Sequence, residues 1–269
     1  MSGIEIALLA VMGFFAGVFG TMIGIGGGVI FVPVFLLFFH FSPQQAVGTS
    51  ICAVFFNALS GSISYLRQRR VDIKAGWKFA LATLPGAWLG AWVNQYVTSR
   101  TLELIFAILL IALSMFIFIR TEPGKKGESE DKHTRTLIDF QNNVFKYTPK
   151  EGIGIILSFL VGIISSLLGI GGGIIHVPAL IFLLGFPVHI ATATSHFVLA
   201  ISTFFGSASH LYLNNVLIVP AIIVATSAIP GAQIGAKLSR RAKNKLITRL
   251  LAIALFLVGV RLLFMSAGV

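Results

Sequence analysis

Two hydroxyl pairs, Thr49-Ser50 and Thr194-Ser195, stand at the beginnings of apolar stretches, and the second pair is followed at once by His196. Hydroxyls donate to anionic oxygens, and an imidazole takes up and releases protons near neutral pH. Upstream of each pair lies nearly the same phrase, GIGGGVIFVP at 24–33 and GIGGGIIHVP at 169–178. Glycine has no Cβ to keep a ligand from the backbone, and a helix that starts after such a turn aims its N–H groups and positive end at whatever sits there. The pattern describes two half-sites for a small anion. One consists of Gly24, Gly26, Gly27 and Gly28 with Thr49 and Ser50; the other of Gly169, Gly171, Gly172 and Gly173 with Thr194, Ser195 and His196. Asn57, about two helical turns beyond Ser50, adds an amide to the candidate site, and Gln233 is a further polar group at depth.

Each group also has a plainer reading. Gly20, Gly24 and Gly28 form a small-residue series that suits close helix packing, as do Ser165, Gly169 and Gly173. Serine, threonine, asparagine and glutamine cap helices or join them. His176, His196 and His210 stand where the first half has Phe31, Ile51 and Tyr65. Ionisable groups inside a membrane are candidates for function, so all three are candidates for proton coupling; neutral, hydrogen-bonded packing is the alternative. Their spacing does not fit a compact helical zinc motif, and no metal is expected.

The elements that must hold these groups are membrane helices. Hydrophobic residues make up 56% of the chain, charged ones 11%, and mean hydropathy is +0.93, which places the chain among all-α polytopic membrane proteins. The acidic start, MSGIEIALLA, does not read as a cleaved signal, so the first apolar run is expected to be retained. The runs 4–39 and 152–187 are each roughly 36 residues, or about 54 Å as one helix, against a hydrocarbon core of about 30 Å. The glycine phrase must divide each run, into two crossings or a re-entrant pair. Three spans follow in each half: about 45–66, 74–94 and 101–119, then 190–212, 216–237 and 246–265.

A shift of 145 residues aligns the chain with itself from Gly24 to Ala91 without gaps. Pro33 falls on Pro178, Thr49-Ser50 on Thr194-Ser195, Gly61-Ser62 on Gly206-Ser207, and Pro85-Gly86-Ala87 on Pro230-Gly231-Ala232. The chain therefore divides into a first membrane repeat (1–119), a cytoplasmic linker (120–150) and a second repeat (151–269), together one transport domain. Basic residues explain the net charge of +11 as topology and not as nucleic-acid binding. They fill the gap at RQRR (67–70) in the first half and the gap from Lys237 to Arg249 in the second, which are different gaps of the repeat. Inverted repeats put both gaps and the linker in the cytoplasm and both termini outside.

The paired GIGGG phrases, each followed by Ala-x-x-Thr-Ser (46–50 and 191–195) and then by PGA-x-x-GA (85–91 and 230–236), resemble the sulfite exporter TauE/SafE family over most of the chain. That resemblance implies a multi-pass secondary transporter in the cytoplasmic membrane. Its cargo would be a small sulfur-containing anion, such as sulfite, a sulfonate or an organosulfur anion. Export is the expected direction, with proton coupling through the histidines, by alternating access around a site between the two breaks; uptake within the same family and a passive anion channel are the alternatives. On this reading the hydroxyl pairs complete the coordination of sulfite or sulfonate oxygens.

An enzyme is not expected, since there is no HExxH or GxSxG, and neither an ATP-binding phrase nor a dinucleotide fingerprint occurs. No cofactor is implied. Cys52, the single cysteine, has no internal partner. The expected partners are the anion, protons and the lipid bilayer, with oligomeric state open, a homodimer included.

Overall fold

The computed structural model describes residues 2–96, 98–119 and 134–267. The chain runs through α1 (Gly3–Ile23), α2 (Gly28–Phe38), α3 (Pro43–Arg67), α4 (Ile73–Asn94) and α5 (Ser99–Ile119). A short hairpin follows, β1 (Arg135–Ile138) and β2 (Val144–Tyr147). The second half contains α6 (Glu151–Leu168), α7 (Gly173–Pro178) with a π-helical turn at Ala179–Leu183, α8 (Val188–Tyr212), α9 (Ile218–Arg241) and α10 (Asn244–Ala267). Five of the described helices, α1, α3, α6, α8 and α9, are long and apolar enough to cross a membrane. The protein is an all-α multi-pass membrane protein. The first 14 residues of the linker (120–133) lie outside the described residues.

Local chemistry sets the helix boundaries. Ser2 and Glu5 form a capping box on α1, Ser42 and Gln45 another on α3, and the Asp72 carboxylate accepts from the Ala75 N–H at the start of α4. The glycine phrases end α1 and α6 because three residues of each turn are left-handed. Gly24, Gly26 and Gly27 have φ of 91°, 80° and 84°; Gly169, Gly171 and Gly172 have 73°, 78° and 71°. Only glycine takes that geometry without a steric penalty.

The broken run is a helical hairpin with unequal arms, neither two full crossings nor a pair of short helices: α1 and α6 are each long enough to cross a membrane, and the arm that returns is not. Gly172 lies against Ser165 and Val161 of α6, and further along α7 His176 meets Ser158, so α7 runs back along α6. Gly27 lies against Ala16 in the same way. The returning helix, 28–38 or 173–183, is 11 residues long, about 16 Å, half of what a crossing requires.

Packing follows the 145-residue offset and exchanges the halves. α1 packs along α9 as α6 packs along α4, and α3 lies beside α9 as α8 lies beside α4. The PGA-x-x-GA blocks make these contacts. Gly86 and Gly90 of α4 bring its backbone onto Phe159 and Ile163 of α6; Gly231 and Gly235 of α9 do the same to Phe14 and Val18 of α1. These two pairs are offset mates, which carries the register upstream of Gly24. The central helices α3 and α8 are antiparallel, since Gly61 touches His196 while Ile51 touches Gly206.

The linker carries structure the sequence reading did not foresee. Arg135 of β1 pairs with Asp72 (2.6 Å) and with Glu151, Tyr147 donates to Asp72 (2.8 Å), and the Phe140 N–H donates to the Gln68 carbonyl. The hairpin is thereby fixed to the starts of α4 and α6 and to the loop after α3.

Candidate functional site

The two glycine turns meet in the middle of the protein. A Cβ on Gly28 would lie 2.7 Å from the Ile170 backbone, and one on Gly173 would lie 2.7 Å from Ile25 Cα. Val54 of α3 and Leu199 of α8, themselves offset mates halfway along their helices, both press on Gly26 and on Gly171. Gly24 packs on Thr192, and Gly169 on Val47, its mate. All eight glycines named as candidates therefore gather in one place, and each position is filled tightly by protein in this conformation.

A helix that ends in a turn leaves carbonyls unbonded. Here the hydroxyls of the opposite half satisfy two of them. Ser50 Oγ donates to the Gly169 carbonyl (2.7 Å), and Ser195 Oγ to the Gly24 carbonyl (3.4 Å). Both serines are fully buried. The threonines beside them face another direction. Thr49 Oγ1 accepts from the Leu217 N–H and Thr194 Oγ1 from the Asp72 N–H, each at 3.0 Å, so each anchors the start of the other half's α9 or α4. The serines are at the breaks, and the threonines hold helix starts.

His196 is where the halves differ at the breaks. The Thr21 hydroxyl donates to Asn57 Oδ1 (3.2 Å), leaving its oxygen to accept from His196 Nε2 (3.2 Å). Asn57 Nδ2 in turn donates to the Gly26 carbonyl (3.0 Å). A continuous chain of bonds thus joins the imidazole to the first glycine turn, with Nδ1 buried and without a partner. Tyr65 closes the cluster: its ring stands edge-on to the imidazole at 5.7 Å and its hydroxyl donates to the Thr21 carbonyl (2.7 Å). His176 Nδ1 is likewise buried without a partner, so it is the bonded chain through Thr21 and Asn57 to Gly26 that distinguishes His196.

The other histidines are separate from this cluster. His176 Nε2 meets Ser158 Oγ (3.3 Å), whose proton goes to the Gly154 carbonyl (2.7 Å), and Phe79 covers the ring. His210 has both nitrogens engaged, Nε2 with the Ser166 carbonyl (3.1 Å) and Nδ1 with Asn215 (3.4 Å). Gln233 joins α9 to α3 through the Ser60 carbonyl (2.7 Å).

The structure brings Asn57 and His196 together with Gly26, and it adds Thr21 and Tyr65, which sequence reasoning missed. The signal for Thr21 was available: it is the offset mate of Ser166, three residues before the repeat was taken to begin. Among the described residues no group of three or more histidine, cysteine or acidic side chains is arranged to hold a metal.

A family model described as "Sulfite exporter TauE/SafE" matches residues 9–262. The chain is 33% identical over 264 residues to the probable membrane transporter protein YunE of Bacillus subtilis, covering 96% of this chain and 97% of that one. It is 29% identical to the probable membrane transporter protein ORF9 of a Sinorhizobium species, covering 96% and 92%. It is 23% identical to the probable membrane transporter protein YfcA of Escherichia coli, covering 100% and 93%. No solved structure matches the chain.

Proposed function

The chain belongs to the sulfite exporter TauE/SafE family and is a membrane transporter, and from that premise we propose that it moves a small sulfur-containing anion across the cytoplasmic membrane as a secondary, proton-coupled exporter. The observation that carries the reading is the meeting of the two glycine turns at mid-molecule, each bonded by a serine of the opposite half, with the His196–Thr21–Asn57 chain ending on the Gly26 carbonyl.

Alternating access needs a contact between two bodies that separates and re-forms. The serine–carbonyl bonds are the polar part of that contact. When the turns part, Ser50 and Ser195 are freed to donate to anion oxygens; the Gly24, Ile25 and Gly26 N–H groups stay bonded to the Gly20 carbonyl and that of Gly173 to Gly171, so the hydroxyls are the donors that the parting releases. His196 sits one residue from Ser195 and supplies the proton-carrying group. Inverted topology is supported by the antiparallel crossing of α3 and α8 and by the adjacency of the ends of α3 and α9, where Gln68 donates to the Ala236 carbonyl (3.2 Å). Both basic gaps then share the hairpin's face, which is cytoplasmic on this reading.

The test is flux into proteoliposomes of sulfite, sulfate, thiosulfate, taurine and sulfoacetate, with and without an imposed pH gradient. At least one should move and accumulate against its own gradient when protons flow. His196→Gln, which keeps a donor toward Thr21 but cannot carry a proton, should leave flux and abolish the response to pH. If none of the five anions moves, the assignment of cargo is wrong; movement without accumulation under the pH gradient overturns proton coupling.

A further inference from the structure

A second polar site lies away from the glycine turns, under the hairpin. A cleft of about 400 Å³ is bounded by the turn of the hairpin, the loop after α3, the first turn of α8 and the end of α9. Water occupies about 30 Å³ per molecule, so the cleft holds a small ion with part of its hydration shell.

Two guanidinium groups line it. Arg70 is almost wholly buried, at 2% exposure, and is fixed there by Gln68 Oε1 (3.2 Å), the His189 carbonyl (3.4 Å) and the Tyr65 ring at 5.5 Å. Arg240 lies over the Phe140 ring at 5.0 Å, and its Nε is buried with no partner. His189 also lines the cleft, with Nδ1 buried and unpartnered. The one carboxylate lining the cleft among the described residues, Asp139, offsets the charge of nearby Arg70, and its oxygens are engaged in the hairpin turn. It accepts from the Gln141 N–H, the Asn143 N–H and Asn143 Nδ2, each at 2.9 Å, in forming the hairpin turn.

The helix end bordering the cleft adds to the positive potential. In the first half Ser42 and Gln45 cap α3 reciprocally; their offset mates at α8 are Pro187 and Ile190, and α8 has no side-chain cap. The positive end of a 25-residue helix is therefore left without a capping oxygen beside His189.

We propose that this cleft is a binding site for a small oxyanion, held by the Arg240 guanidinium and His189 with Arg70 behind them. Fixed, partly desolvated guanidinium groups recognise oxygens arranged in a plane or tetrahedron far better than they do a spherical halide. Free sulfur oxyanions and the phosphate of an anionic lipid share that chemistry. Only the choice of sulfur oxyanions as probes rests on the transport reading.

The test uses the full chain with Cys52→Ala and Gln141→Cys, carrying an environment-sensitive fluorophore on the new thiol at the cleft rim, in nanodiscs. In phosphatidylcholine discs, sulfate and thiosulfate should change the fluorescence saturably, while chloride at equal ionic strength should not. Arg240→Gln should weaken binding about tenfold or more, the loss of a charge-assisted bond, and Arg240→Lys by less. If phosphatidylglycerol discs give the saturated signal before any sulfate is added, and Arg240→Gln removes it, the oxyanion is a lipid phosphate and the site stands. No response to either source, or an unchanged titration in both Arg240 variants, overturns it. Proteoliposome flux is read separately, so a cleft that titrates in a protein that moves no sulfur anion refutes the cargo and not the site.

Discussion

Ser50 and Gly169 are joined across the two halves of the chain: the serine hydroxyl on α3 donates at 2.7 Å to the carbonyl released where α6 ends. Its offset counterpart, Ser195 to the Gly24 carbonyl, is 3.4 Å long, at the outer limit for an O–H donor. The two bonds share a topology and differ in strength. In this conformation, therefore, α3 holds the second turn more firmly than α8 holds the first.

Ser50→Ala should accordingly destabilise the purified protein more than Ser195→Ala. Leaving a buried carbonyl without its donor costs about 1–3 kcal/mol, and the long bond has less to lose. Thermal unfolding in detergent measures the difference. If the serines also donate to the cargo, both variants should lose flux beyond what their stability explains; equal stability losses with unimpaired flux would assign them to scaffolding alone.

Much of this was legible because duplication writes the same constraint twice. Three left-handed residues in a turn require glycine, so GIGG at both breaks announced that each long run is divided, and the offset of 145 announced which elements are mates; the shape of the division and the exchange of packing partners were not legible. The direction of a side chain was not legible. Thr49 and Ser50 are neighbours in sequence, yet on a helix they point about 100° apart; one anchors Leu217 and the other meets Gly169. The hairpin was hidden for a different reason. Its strands are four residues each, too short for alternation to stand out in a polar stretch, and it is fixed by Asp72, Glu151 and Gln68, which lie outside the linker.

Gly28 and Gly173 separate backbone freedom from packing, because neither has a positive φ. As first residues of α2 and α7, they gain less from alanine than the roughly 1 kcal/mol of a helix interior. The new methyl would lie 2.7 Å from the backbone of the opposite turn, and backbone cannot yield as a flexible side chain does. Gly28→Ala and Gly173→Ala should therefore lower the melting temperature and reduce flux. Gly152→Ala is the control, since nothing lies within 4 Å of its added methyl in the first turn of α6; it should be neutral or stabilising.

Asp139 gives the hairpin a pH dependence of known sign. Burial alone would raise its pKa, but the bonds from Asn143 and Gln141 and the nearby Arg70 outweigh burial and hold the carboxyl below its ordinary value. A depressed folded pKa contributes stability that is complete above the unfolded value, about 3.9, and is lost as pH falls through the folded one. Hydrogen exchange at Asn143 and Gln141 should thus be insensitive to titration of Asp139 from neutrality to about pH 5 and should lose protection in stronger acid. Asp139→Asn, which keeps an acceptor but loses the charge, should show weakened protection already at neutral pH.

His210 offers a direct exchange between the halves. Its offset mate is Tyr65, and the two do the same work: Tyr65 donates to the carbonyl of Thr21, and His210 to the carbonyl of Ser166, the mate of Thr21. Below each ring the pairing is matched as well, with Arg70 over Tyr65 and Asn215 on His210 Nδ1. A tyrosine at 210 would find the same acceptor but lose the bond from Asn215 and the contact with the Ser166 hydroxyl and, as a larger ring at a fully buried position, would cost about 1–3 kcal/mol. His210→Tyr should still fold, keep flux and keep its response to a pH gradient. His196 differs in that its mate, Ile51, has no polar group, so its bond to Thr21 has no counterpart in the other half. Proteoliposome flux with and without a pH gradient separates the two: a pH response lost in His210→Tyr but retained in His196→Gln would move the proposed proton-carrying role from His196 to His210.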